Sequence, residues 1–202
     1  QEKKTDRYQA TIGKGLDWLA KQQNADGRWT DDAGLPTATT ALAGLAFHAE
    51  GSTLDQGKYR ANHRLAVDWF LKQKPRDVRY RGVLGDVDDP RNTGRYMPQH
   101  GVAMSYLAKL FGDAENAKDR NRLKALLNEA VAFSVAAQST QGGWFYTSKI
   151  EGHDGIENVA TLLVLQGLLD ARDVGIAVPR EPLLKAHAHL KACTTKEGGI
   201  LY

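Results

Sequence analysis

A single cysteine, Cys193, stands among 202 residues, so no disulfide can close within the chain and a thiol-rich metal site is excluded. Long apolar runs are missing too. The most apolar stretch, Val159 to Leu169, is far short of the ~18–20 residues of a membrane span and reads as a buried helix. Charge of one sign is scarce, with a formal net charge of +3. The densest basic patch is Arg76, Arg79 and Arg81 around Tyr80, and no Lys/Arg stripe follows a helix face. Nucleic acid is therefore not an expected partner. The chain has no Gly-x-Ser-x-Gly elbow, no phosphate-cradling glycine loop and no His-Glu-x-x-His, which removes several common enzyme classes. No metal or cofactor is expected. The first residues, Gln1 to Arg7, are polar and begin without Met. They read as a mature N-terminus after signal removal, which places the protein outside the cytoplasm, exported or periplasmic; a cytoplasmic location is the alternative.

What is present is a repeat. Asp17-Trp18-Leu19-Ala20-Lys21-Gln22 returns as Asp68-Trp69-Phe70-Leu71-Lys72-Gln73. Gln23-x-x-x-Gly27-x-Trp29 returns as Gln138-x-x-x-Gly142-x-Trp144, and Gly198-Gly199-Ile200-Leu201-Tyr202 echoes Gly142-Gly143-Trp144-Phe145-Tyr146. The unit is about 50–60 residues long, the length of a helical hairpin with its loops. Stripes at Ile12, Leu16, Leu19 and at Leu65, Trp69, Phe70 predict amphipathic outer helices, joined by a third over 121–138 and a fourth opened by Pro182. Residues 37–49, 99–111 and 157–174 are more apolar and predict buried inner helices. The expected fold is all-α: one domain over residues 1–202, an α/α-toroid-like array of about seven helices forming an incomplete ring or fragment. Its repeats fall near 8–50, 58–111, 119–174 and 180–202. Residues 75–98, rich in Pro, Gly and charge, predict a long irregular loop, and 112–120 a shorter polar connection.

The doubled Gln-x-x-x-Gly-x-Trp resembles the repeat motif of squalene–hopene and oxidosqualene cyclases. Residues Gly15 to Trp29, Thr39 to Ala46, His100 to Ala103 and Gln138 to Tyr146 resemble a group of bacterial prenyltransferase and squalene oxidase repeat proteins. The resemblance implies the α/α-toroid fold and no particular activity. On physical grounds the motif is structural. Gln23 and Gln138 can bond backbone at a neighbouring helix terminus, Gly27 and Gly142 permit positive φ, and Trp29 and Trp144 can wedge between outer helices.

Three sets of residues carry functional expectations. Asp86, Asp88 and Asp89 match the Asp-x-Asp-Asp pattern that, by resemblance, supplies the protonating acid of class II terpene cyclases. Clustered carboxylates can raise one another's pKa, as such an acid needs. Here, however, Pro90-Arg91-Asn92 follows where the cyclases have Thr-Ala, and Arg91 replaces the Gly of a calcium loop. Tyr96, His100, His153, Asp154 and Glu157 lie near inner-helix starts, where they can line a cavity or converge as an acid/base or metal cluster. Arg95, His100 and Asp154 can serve a carbohydrate cleft. The leading functional expectation is a non-catalytic binding or assembly module for a protein partner or oligomer. An isoprenoid cyclase with an apolar ligand, and a polysaccharide lyase with a carbohydrate ligand, are the alternatives.

Overall fold

A computed structural model describes residues 2–30, 34–85, 87–89 and 94–201, with side chains from Tyr8 onward. The described chain is all-helical, as its periodicity predicts. Its seven α-helices are α1 (Glu2–Lys21), α2 (Pro36–Ala49), α3 (Arg60–Lys72), α4 (Tyr96–Asp113), α5 (Ala117–Ala137), α6 (Asn158–Asp173) and α7 (Arg180–Cys193). No helix among the described residues is long and apolar enough to cross a membrane.

The helices form two layers. The inner row is α2, α4 and α6, with α4 in the centre against both neighbours; α3, α5 and α7 lie behind α2, α4 and α6. The inner helices run parallel, because their contacts advance together. Ala38 meets Gln99, Gly44 meets the Tyr106 ring, and His48 meets Asp113. Close approach depends on missing side chains. A Cβ on Gly101 would lie 2.5 Å from the Leu163 backbone, and one on Gly167 would lie 2.6 Å from the Gly101 carbonyl. Only α4 is wrapped as an inner helix should be. The flanking members expose Leu42 on α2 and Val159 and Leu162 on α6.

Two connections differ from the sequence expectation. The polar segment 112–120 is mostly helix, because Asn116 caps α5 by accepting from Lys118 N (2.8 Å) and Asp119 N (3.3 Å). The loop expected over 75–98 ends earlier. Tyr96 already begins α4, since Pro98 falls within its first turn, where a missing N–H costs nothing. A short 3₁₀ turn, Val78–Tyr80, interrupts the loop.

Candidate functional site

The Gln/Gly/Trp turns join the layers. At the first, Gln23 Nε2 donates to the Gly27 carbonyl (2.7 Å) and across to the Asn62 carbonyl of α3 (3.0 Å). At the second, Gln138 Nε2 donates to the Gly142 carbonyl (2.7 Å) and to the Pro182 carbonyl of α7 (2.9 Å). Each indole lies at the junction of its outer helix with the following inner helix. Trp29 Nε1 donates to the Leu19 carbonyl of α1 and its backbone N–H to Thr40 Oγ1 of α2. Trp144 Nε1 donates to the Ser134 carbonyl of α5 and its N–H to Thr161 Oγ1 of α6. Gly27 and Gly142 have φ near +100° and press on the backbone of the next outer helix, at the Leu65 and Lys185 carbonyls.

The geometry reveals a copy that sequence reading missed. Gly82, also at positive φ, presses on the Glu129 carbonyl of α5, and two residues later Leu84 stands where the other turns have Trp. Leu84 N donates to His100 Nδ1 (2.9 Å), so His100 occupies the place of Thr40 and Thr161. The usable signal was Gly-x-Leu before a buried helix. Because this connection is longer, Gly82 stands nine positions beyond Gln73, and a search on Gln-x-x-x-Gly-x-Trp passes over it. Gln73 turns back to its own Trp69 carbonyl instead (3.0 Å). The closing echo also folds as a turn. Thr195 N donates to the Gly199 carbonyl as Ser139 N does to Gly143, and Gly198 is at positive φ.

The expected acid/base cluster is not assembled. His100 is fully buried and also faces Ser134 Oγ through Nε2 (2.8 Å). Burial pushes its pKa down to about 4. Glu157 caps α6, accepting from Val159 N (3.0 Å) and Ala160 N (2.7 Å). Asp154 is exposed and accepts from the Thr140 hydroxyl and N–H, which hold its carboxyl below the usual range. His153 is exposed. Tyr96 donates to Glu151 and accepts from Ser148 N (2.7 Å); burial raises its phenol well above the ordinary value. Among the described residues no three His, Cys, Asp or Glu side chains gather as a metal site requires. In the acidic loop, Asp86 lies outside the described residues. Asp88 accepts from Arg76 N (3.0 Å) and tethers the loop to its own start; Asp89 is half-buried. Arg95, expected to serve a carbohydrate cleft, has its guanidinium over the Tyr146 ring, whereas the fully buried His100 cannot face such a cleft.

Open surface lies at the two ends of the array. A groove of about 430 Å³ at the α6–α7 end is lined by Phe145, Ile156, Asn158, His189, Cys193 and Leu201. In it His189 Nε2 faces Asn158 Oδ1 (2.9 Å) and Cys193 Sγ (3.7 Å). At the other end α1 exposes Tyr8, Ile12 and Trp18, whereas the matching Tyr59, which precedes α3, and His63 and Trp69 on α3 are buried. On the inner face Leu42, Leu45, Val102 and Leu163 line a shallow cavity of about 320 Å³ beside the Lys109–Asp170 pair.

Comparison with family models, curated proteins and solved structures finds no match to this chain.

Proposed function

We propose that this chain is a non-catalytic binding or assembly module, a helical repeat of squalene-cyclase-like type whose open edges meet a protein partner. The observation that carries this reading is how the chemically capable side chains are engaged. Asp88, Asp154, Glu157 and His100 each hold a backbone N–H of a loop or helix start. A general acid needs a proton to give, and a base needs a free lone pair aimed at substrate. Carboxylates that already accept amide protons are poor in both roles. Apolar side chains, meanwhile, stand exposed at both edges and on the inner face. Exposed apolar surface in contiguous patches marks contact sites.

The test has two arms. The purified chain is incubated with squalene, with a polyprenyl diphosphate and with an anionic polysaccharide, and the products are analysed. No cyclic hydrocarbon and no unsaturated sugar end is expected. In an extract of its native source the protein is expected to elute as a complex larger than the purified chain. A cyclic product that disappears in Asp88→Asn, or a sugar product that disappears in Asp154→Asn, would replace this reading with the corresponding enzyme.

A further inference from the structure

His100 differs from every other group at the turn-to-helix junctions because its hydrogen bonds permit only one protonation state. Leu84 N is a donor, so Nδ1 must carry a lone pair. Nε2 is then the N–H of the neutral ring and donates to Ser134 Oγ, whose own proton goes to the Ala130 carbonyl (3.0 Å). A proton on Nδ1 would set N–H against N–H and break the bond that holds Leu84. In the two Trp turns the same backbone N–H reaches Thr40 or Thr161, hydroxyls that do not titrate. We propose that His100 is an acid-sensitive latch: neutral, it pins the Gly82–Gly85 turn to α4, and protonated, it releases the turn and uncovers Val83 and Leu84.

Of the groups acting on the ring, only the Ala130 carbonyl favours a second proton, and no charged side chain does. From the turn, His100 meets the Leu84 backbone; from α5 it meets Ser134, the Ala130 carbonyl and the edge of the Phe133 ring, 5.4 Å between centroids. The Tyr96 ring packs against Phe133, and its phenol is bonded to Glu151. Burial, with no charged side chain among its causes, sets the ring's low proton affinity. Two further polar ties hold the turn. Val83 N bonds the Tyr80 carbonyl (2.9 Å), and the Arg81–Glu129 ion pair is exposed, so solvent screens it. Val83 and Leu84 are 3% and 1% exposed, so release would bring two apolar side chains to the surface.

Amide exchange read by NMR across acid pH tests the latch, with protection at Leu84 compared with protection at Met104 in the centre of α4. In the wild type Leu84 protection is expected to stay below that of Met104, because the turn opens without the rest of the fold, and to fall about tenfold per pH unit from about pH 6.5 toward pH 4. His100→Thr places the residue of the other two turns at this site and should keep Leu84 protected without that pH dependence. Imidazole ¹⁵N shifts of the wild type at neutral pH provide the readout independent of any variant, and are expected to show Nε2–H with Nδ1 unprotonated. The latch is overturned if Nδ1 carries the proton at neutral pH, if Leu84 and Met104 are equally protected at every pH, or if a folded His100→Thr keeps the wild-type pH dependence at Leu84.

Discussion

At Trp29 and Trp144 an indole bonds an outer-helix carbonyl and the backbone N–H reaches a threonine; at Leu84 the side chain has no polar atom and the N–H reaches an imidazole. The backbone task is the same in all three places: a glycine at positive φ lets the chain lie against the next outer helix. What differs is how the space behind the turn is filled. In the outer turns one large side chain does it. In the middle turn a smaller Leu and a larger residue on α4 share it, with Phe133 against the His100 ring. Side-chain volume has moved from one element to its neighbour, and a titratable group has entered the core with it.

The comparison is sharpened first by truncation. Trp144→Ala removes a fully buried indole and is expected to destabilise by about 3–5 kcal/mol, measured by urea denaturation. Leu84→Ala is expected to cost less, about 2–3 kcal/mol, because His100 and Phe133 keep part of the space filled. Equal losses would mean that the middle turn depends on its Leu as fully as the others depend on Trp. Next come the glycines. Gly142→Ala sets a Cβ 2.7 Å from the Lys185 carbonyl at φ +101°, and a loss above about 2 kcal/mol is expected. Gly198→Ala shares the positive φ but meets nothing within 4 Å, so only the backbone cost of about 1–2 kcal/mol remains.

Acid should separate the middle of the array from its ends. His63 and His100 are held near pKa 4 by burial, with His48 also acting on His63, against 6.5 for a free imidazole. The unfolded chain therefore takes up these protons first as pH falls. Stability is fully present above about pH 6.5 and declines toward pH 4, by up to about 1.4 kcal/mol per pH unit for each ring. His100→Thr should remove one ring's share of that slope in urea titrations at successive pH values. The smallest effects belong to the glutamines. Gln138→Ala, at a buried site, is expected to lose about 1–2 kcal/mol, and Gln23→Ala, half-buried, less than that in the same assay.

Helix count and layer assignment were legible because apolar periodicity reports burial directly. Leu16, Trp69 and Phe70 are buried as their stripes predict, whereas Ile12 and Leu65 of the same stripes stand exposed. The first and third turns were legible because Gly and Trp leave few alternatives at positive φ and large volume. The middle turn was not. Leu84 is an ordinary core residue in sequence, and its equivalence to Trp29 appears only once Gly82 is seen against Glu129. The grouping of His100, His153, Asp154 and Glu157 went astray for a related reason. Proximity to inner-helix starts says nothing of direction. Glu157 turns back onto its own helix end, Asp154 reaches for Thr140, and His100 points outward to α5.

By itself the sequence determined an all-helical repeat, its turn glycines and the two turn tryptophans, because each follows from local periodicity or from a conformation few residues tolerate. Tertiary structure alone decided which carbonyl each indole bonds, where the third turn lies and what each acid and imidazole bonds. Those outcomes depend on hydrogen-bond partners as many as 65 positions apart, such as His48 and Asp113, and no local pattern encodes such a pairing.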